Sequence, residues 1–262
     1  MDEKRIIACL DIKDGSVVKG VNFVNLKEAG DPLALGQYYQ ESGADELAML
    51  DITATVEGRK TFAELVTRIR SVVSLPITVG GGIKCVAEAQ RLFDSGATKV
   101  SISSQAVLTP SLIDDLARTF GSERIVCAID VRREAEGRWK VVTRGGREET
   151  ALDALAWAEE AQRRGAGEIL LTSMDCDGAK GGYDIELYQA VCSVLSIPVI
   201  ASGGAGTMAH FVDVFTKTGV SAALGASIFH FHDVEIPKLK IFLQQCGIPM
   251  RMQMEGEAYH EP

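Results

Sequence analysis

Short apolar runs, many of them β-branched, alternate along the chain with longer stretches whose apolar positions recur every three or four residues. The runs RIIACLD, ELAMLD, PITVG, KVSIS, RIVCAID, EILLTS, PVIAS and SAALG have strand length and are bounded by glycine, proline or charge, so they predict eight strands. Helical spacing falls between them, over 31–42, 61–74, 86–95, 111–120, 151–164 and 208–218. Strand and helix in strict alternation imply parallel strands covered on both faces, and eight such units in about 250 residues suit closure into a ring. The expected class is therefore α/β, a (β/α)₈ TIM barrel.

The pattern also repeats internally. GADELAMLD from Gly43 aligns with GAGEILLTS from Gly165, and PITVGGGI from Pro76 aligns with PVIASGGA from Pro198, both at a separation of 122 residues. Asp11 in ACLDIKDG finds a counterpart in Asp130 of CAIDVRRE. One domain over 1–262 is expected, built from two similar half-barrels at about 1–122 and 123–248. The polar stretch 132–149 encloses the alternating run WKVVT and predicts a hairpin inserted after the fifth strand. The polar, aperiodic tail over about 250–262 is expected to be poorly ordered.

Composition narrows the function. With 46% hydrophobic and 24% charged residues, the chain has the material for a large core. Its formal net charge of -9 opposes a nucleic-acid partner, whose phosphates are neutralised by lysine and arginine. Six cysteines lie scattered without a C-x-x-C pair, no apolar run reaches membrane-spanning length, and the N-terminus has no signal-peptide pattern. A reduced, cytoplasmic protein with no membrane partner is expected. His210, His230, His232 and His260 lack metal spacing, so no metal and no cofactor are expected, and packing or surface roles are assigned to them. Trp139 and Trp157 are expected to cover hairpin and helix surface.

In such a barrel, side chains at the C-terminal strand ends converge on one mouth. Asp11, Asp51, Asp130 and Asp177 qualify by position. Asp11 and Asp130 end the first and fifth strands, on opposite sides of the ring, where one could serve as acid and the other as base. Asp51 either joins them or holds its own loop. Gly80, Gly81 and Gly82 after one strand, and Gly203 and Gly204 at the equivalent place in the second half, offer backbone amides to an anion. Each is followed one strand later by a hydroxyl-bearing turn, Ser103-Ser104 or Ala226-Ser227. Two phosphate sites facing each other, hence a substrate with a phosphate at each end, follow from that pairing. Arg5, Glu46, Lys99 and Glu168 stand at the opposite strand ends, where charges ordinarily close a barrel floor through ion pairs.

RIIACLDIKDG, VVKGVNF, DELAMLDITA, TVGGGI, TFGSERIVCAID, RGAGEILLTSMD, DGAKGGYD and IASGGAG, followed by FHF at 229–231, run in order over positions 5 to 231. On these the chain resembles the cyclase subunits of imidazole glycerol phosphate synthase, of histidine biosynthesis. The resemblance implies a lyase that takes a phosphoribulosyl-formimino aminoimidazole carboxamide ribonucleotide and ammonia to imidazole glycerol phosphate and aminoimidazole carboxamide ribotide. It implies Asp11 as general acid/base, Asp130 as its partner in proton movement, and Lys19 on a mobile loop over 16–30. One phosphate would meet Gly82, Ser103 and Ser104, and the other Asp177, Gly178, Gly204, Ala226 and Ser227, with Thr172, Ser202 and Gly203 lining the mouth. Arg5, Glu46, Lys99 and Glu168 would gate ammonia delivered by a glutaminase subunit in a heterodimer. The chain departs from the family's pattern at Ser103, where asparagine is usual, at Cys176 and Ala179 within DCDGAK, and at Thr98. The sister isomerase of the same pathway, or a non-catalytic or paralogous partner of a glutaminase, are the alternatives.

Overall fold

The computed structural model describes residues 3–21, 24–52 and 56–252, with backbone alone at 19–21, 24–29 and 56–61. The first half comprises β1 (Arg5–Lys13), β2 (Ser16–Val21), β3 (Val24–Gly30), α1 (Pro32–Glu41), β4 (Glu46–Asp51), α2 (Val56–Arg70), β5 (Ile77–Gly80), α3 (Val86–Asp94), β6 (Lys99–Ile102), α4 (Ser104–Leu108) and α5 (Ser111–Phe120). The second comprises β7 (Ile125–Ala135), β8 (Arg138–Thr143), β9 (Glu148–Asp153), α6 (Ala154–Arg163), β10 (Glu168–Ser173), α7 (Ile185–Val194), β11 (Val199–Ser202), α8 (Met208–Lys217), β12 (Ala222–Gly225), α9 (Ser227–His230) and α10 (Ile236–Gln245).

Eight parallel strands close a ring in the order β1, β4, β5, β6, β7, β10, β11, β12 and back to β1, as the alternating pattern requires. Each strand is buried on both faces, and its side chains alternate between two environments. Ile6, Ala8 and Leu10 of β1 pack outward with the helices, whereas Ile7 and Cys9 join Ala48, Val126, Leu170, Ile200, Ala222 and Leu224 inside the ring. The helices present apolar stripes to the outer layer: in α5, Leu112, Ile113 and Leu116 are all buried. The half-repeat survives in detail. Gln40 Oε1 accepts from the Ser74 amide at 2.6 Å, and Gln162 Oε1 accepts from the Ser196 amide at 2.8 Å, each pair at equivalent places.

Several elements differ from the sequence reading. The expected loop over 16–30 carries two antiparallel strands, β2 and β3, which extend from β1 as a ribbon. The expected helix 151–164 begins at Ala154, because Asp153 caps it by accepting from the Ala156 amide at 3.0 Å, and Ala151 to Asp153 belong instead to β9. The hairpin after the fifth strand is a three-stranded antiparallel meander formed by the extended end of β7 with β8 and β9. Trp139 is buried rather than a surface cover, donating its Nε1–H to Asp184 at 3.1 Å beneath the Arg133 guanidinium. Trp157 is likewise buried. Met250 lies in the core and bridges Lys4, and the Arg251 carbonyl accepts from Lys240 at 2.8 Å, so the chain remains packed at the expected start of the tail. Residues 253–262 lie outside the described residues. No helix among the described residues is long and apolar enough to cross a membrane.

Candidate active site

Counting by twos along the strands carries the inward face from one end of the barrel to the other. Arg5, Ile7, Cys9 and Asp11 share it in β1, as do Glu168, Leu170 and Thr172 in β10, and Lys99 and Ser101 in β6 with Ser103 just beyond. A single parity therefore aligns the floor charges, the interior packing layers and the mouth groups. Over the six steps from Arg5 to Asp11 a strand rises about 20 Å.

At the mouth lies a cavity of about 660 Å³. It is lined by Asp11, Asp51, Gly82, Ser103, Ser104, Asp130, Thr172, Asp177, Gly178, Ser202, Gly203, Gly204, Ala226 and Ser227, so the candidate residues of all eight strand ends meet in one space. Lys19 stands in β2, and its side chain lies outside the described residues.

Asp11 is almost fully buried, and the Cys9 thiol lies 3.7 Å from its Oδ1, a contact within sulfur's longer reach. Asp130 sits across the ring. Burial pushes its carboxyl up to about 6, the nearby charge of Asp177 adds to that, and a hydrogen bond with Thr172 opposes both. The barrel thus holds a carboxylic group whose proton exchanges close to neutrality, the range useful for acid and base work.

The glycine turns have a steric reason as well as a chemical one. At Gly81, with φ +112°, a Cβ would lie 2.3 Å from the Asp51 carbonyl oxygen, and at Gly203, with φ +90°, it would lie 2.7 Å from that of Ser173. These equivalent positions let one βα turn fold against the neighbouring strand end in each half, leaving Gly82 and Gly204 on the cavity wall.

At the floor, Arg5 pairs with Glu46 and, at 2.5 Å, with Glu168. Lys99 pairs with Glu168 at 2.7 Å and with Glu46 at 3.6 Å. The two cations and two anions alternate in a closed ring, largely shielded from solvent.

The cavity also includes groups that the sequence reading passed over: Cys9, Lys13, Lys84, Arg144 and Arg147. Cys9 was accessible by parity, two residues before Asp11. Arg144 and Arg147 come from the turn between β8 and β9, and only the folding of that meander over the mouth brings them in. Among the described residues no group of three or more His, Cys, Asp or Glu side chains is placed to hold a metal ion.

Fold and mouth define a (β/α)₈-barrel enzyme whose mouth cavity is lined by aspartates, glycine turns and hydroxyl-bearing residues. A family model described as "Histidine biosynthesis protein" matches residues 5–235. The protein named imidazole glycerol phosphate synthase subunit HisF in Bacteroides fragilis strain YCH46 is 57% identical, across 95% of this chain and 99% of that protein. Those of Bacteroides thetaiotaomicron and Alkaliphilus metalliredigens are 56% and 52% identical, across 95% and 96% of this chain and 98% and 100% of theirs. The chain belongs to this histidine biosynthesis family, with the HisF subunits of imidazole glycerol phosphate synthase.

Proposed function

We propose that the mouth cavity carries out the cyclase step of imidazole glycerol phosphate synthase, with Asp11 and Asp130 moving the protons. The observation that carries this reading is the meeting of both aspartates, from opposite sides of the ring, in one cavity flanked by two glycine-and-hydroxyl loops. A phosphoribulosyl-formimino aminoimidazole carboxamide ribonucleotide would span the mouth, one phosphate toward Gly82, Ser103 and Ser104 and the other toward Asp177, Gly178, Gly204, Ala226 and Ser227. Asp51, Thr172, Ser202 and Gly203 would line the space between, and Lys19 would approach on its ribbon.

Ammonia condenses with the ribulosyl carbonyl, water leaves, and ring closure expels the carboxamide ribotide. Asp11 takes a proton from the attacking nitrogen as the carbonyl oxygen is protonated. Asp130, able to hold a proton near neutrality, supplies and recovers the complementary one. Each such group is worth roughly 10²–10⁴-fold in rate.

The relatives' names describe a subunit of a synthase, which supports a partner chain. We assign that partner as a glutaminase docked below the floor in a heterodimer, with Arg5, Glu46, Lys99 and Glu168 as the gate for ammonia. The inward rows of β1, β6 and β10 run from this ring to the mouth.

The test is release of aminoimidazole carboxamide ribotide from the ribulosyl substrate with an ammonium salt, for the chain alone and for Asp11→Asn. Turnover lost in a folded variant supports the assignment. Unchanged turnover would remove Asp11 from the chemistry, and isomerisation of the preceding intermediate without ammonia-dependent cyclisation would replace the reading with that of the sister isomerase.

A further inference from the structure

The two ends of the mouth are chemically unequal. Near the Gly204 and Ser227 end, two of the described cations are already paired: Lys180 with Asp233 at 2.5 Å, and Arg133 with Asp184 at 2.9 Å and with Glu186 at 2.7 Å. At the other end, Lys84 follows the Gly80–Gly82 turn closely, and Arg147 reaches the cavity from the turn between β8 and β9. Neither side chain makes an ion pair or hydrogen bond among the described residues. Lys13, on β1 beside β12, also lines the cavity.

The turn bearing Arg147 is built to stay beside Ser104. The Arg144 amide donates to Ser104 Oγ at 2.8 Å, and Arg132 holds the Gly146 carbonyl at 3.2 Å. Arg144, Gly145 and Gly146 all take positive φ, at +54°, +65° and +79°. For Arg144 this left-handed backbone is strained, and the surrounding bonds sustain it. The side chain of Arg144 is itself engaged with Glu148 at 2.8 Å, leaving Arg147 as the uncommitted guanidinium.

We propose that Arg147, together with Lys84, is the charged grip for the phosphate seated against Gly82, Ser103 and Ser104, so that this end is the electrostatic anchor of the substrate. This rests on the two-phosphate substrate proposed above, and it gives the end where serine stands at 103 a planar, multi-donor partner suited to phosphate. The described cavity lining holds no guanidinium other than those of Arg144 and Arg147, which share one turn.

The experiment uses the full chain with the ribulosyl substrate, comparing Arg147→Gln, Lys84→Gln and a control, Arg118→Gln, whose side chain pairs with Asp115 on α5. At low ionic strength Arg147→Gln should raise KM about tenfold, the worth of one charge-assisted hydrogen bond, with kcat changed by less than about twofold because the phosphate does not react. Its KM should also depend less on salt than that of the unaltered chain, and Arg147→Lys should restore part of the loss. Without ammonia, phosphorus resonances of the bound substrate should shift at one phosphate and not the other. Unchanged KM and salt dependence in Arg147→Gln, or equal shifts at both phosphates, would overturn the anchor. Arg147-dependent binding of inorganic phosphate by a chain that does not turn over the substrate would sink the cyclase reading and leave the anchor standing.

Discussion

Replacing Asp130 with asparagine should stabilise the protein while impairing its chemistry. The carboxyl moves from an ordinary value of 3.8 to about 6 in the folded chain. That difference corresponds to about 3 kcal/mol by which the ionised form disfavours folding. Because the folded state holds the proton more tightly, it binds more protons than the unfolded chain between these two values. Stability therefore falls as pH rises through that window, and the cost is fully present only above it. The asparagine side chain carries no charge at any pH and can still accept from Thr172. Denaturant unfolding of both proteins at pH 8 should show Asp130→Asn more stable by up to about 3 kcal/mol, and at pH 4 the gap should shrink to under about 1 kcal/mol. Turnover by the native chain should show a limb near pH 6 that the variant lacks. A pH-independent stability difference, or a variant less stable at pH 8, would refute the account of Asp130 as a carboxylate disfavoured by burial and by Asp177.

Three further outcomes follow from the packing. Glu168→Gln leaves Arg5 and Lys99 sharing Glu46 alone in a mostly buried ring, and should cost about 3 kcal/mol of unfolding free energy; a loss below about 0.5 kcal/mol would mean the ring is not energetically coupled. Gly203→Ala forces a Cβ to 2.7 Å from the Ser173 carbonyl oxygen at φ +90°, so it should destabilise by about 2 kcal/mol or more and weaken inorganic phosphate binding in titration calorimetry. Native stability and binding in that variant would contradict the close approach. Lys240 and Asp45 form a buried pair at 2.7 Å, so Lys240→Met should cost about 3–5 kcal/mol, whereas adding Asp45→Asn should recover much of it; additive losses in the double variant would show that the pair is not coupled.

Sequence alone determined the strand pattern, the ring, and which residues face its interior. Its means was the period of two: once RIIACLD is a buried strand, Arg5 and Asp11 must lie on one face at opposite ends. The same regularity made the glycine turns and their hydroxyl-bearing neighbours legible as equivalent places in the two halves, both on the cavity wall. Where periodicity blurs, reading fails. The helix α7 is apolar over most of its surface, and α10 places Lys240 on its buried face, so neither shows a clean polar and apolar division. Among the described residues the ribbon of β2 and β3 pairs with β1 and with itself and takes no place in the ring, so the strand-helix alternation does not announce it.

What only the tertiary structure decided is the electrostatic character of the mouth. The proton affinity of Asp130 depends on desolvation by the closed barrel and on Asp177, which is remote in sequence. Arg147 lies far along the chain from Gly82 and Ser103, and reaches their cavity because a three-stranded meander folds across the rim. Lys240 finds Asp45 across the chain in the same way. Periodicity is a local property that sequence carries directly, whereas burial and the field between charges belong to the assembled volume.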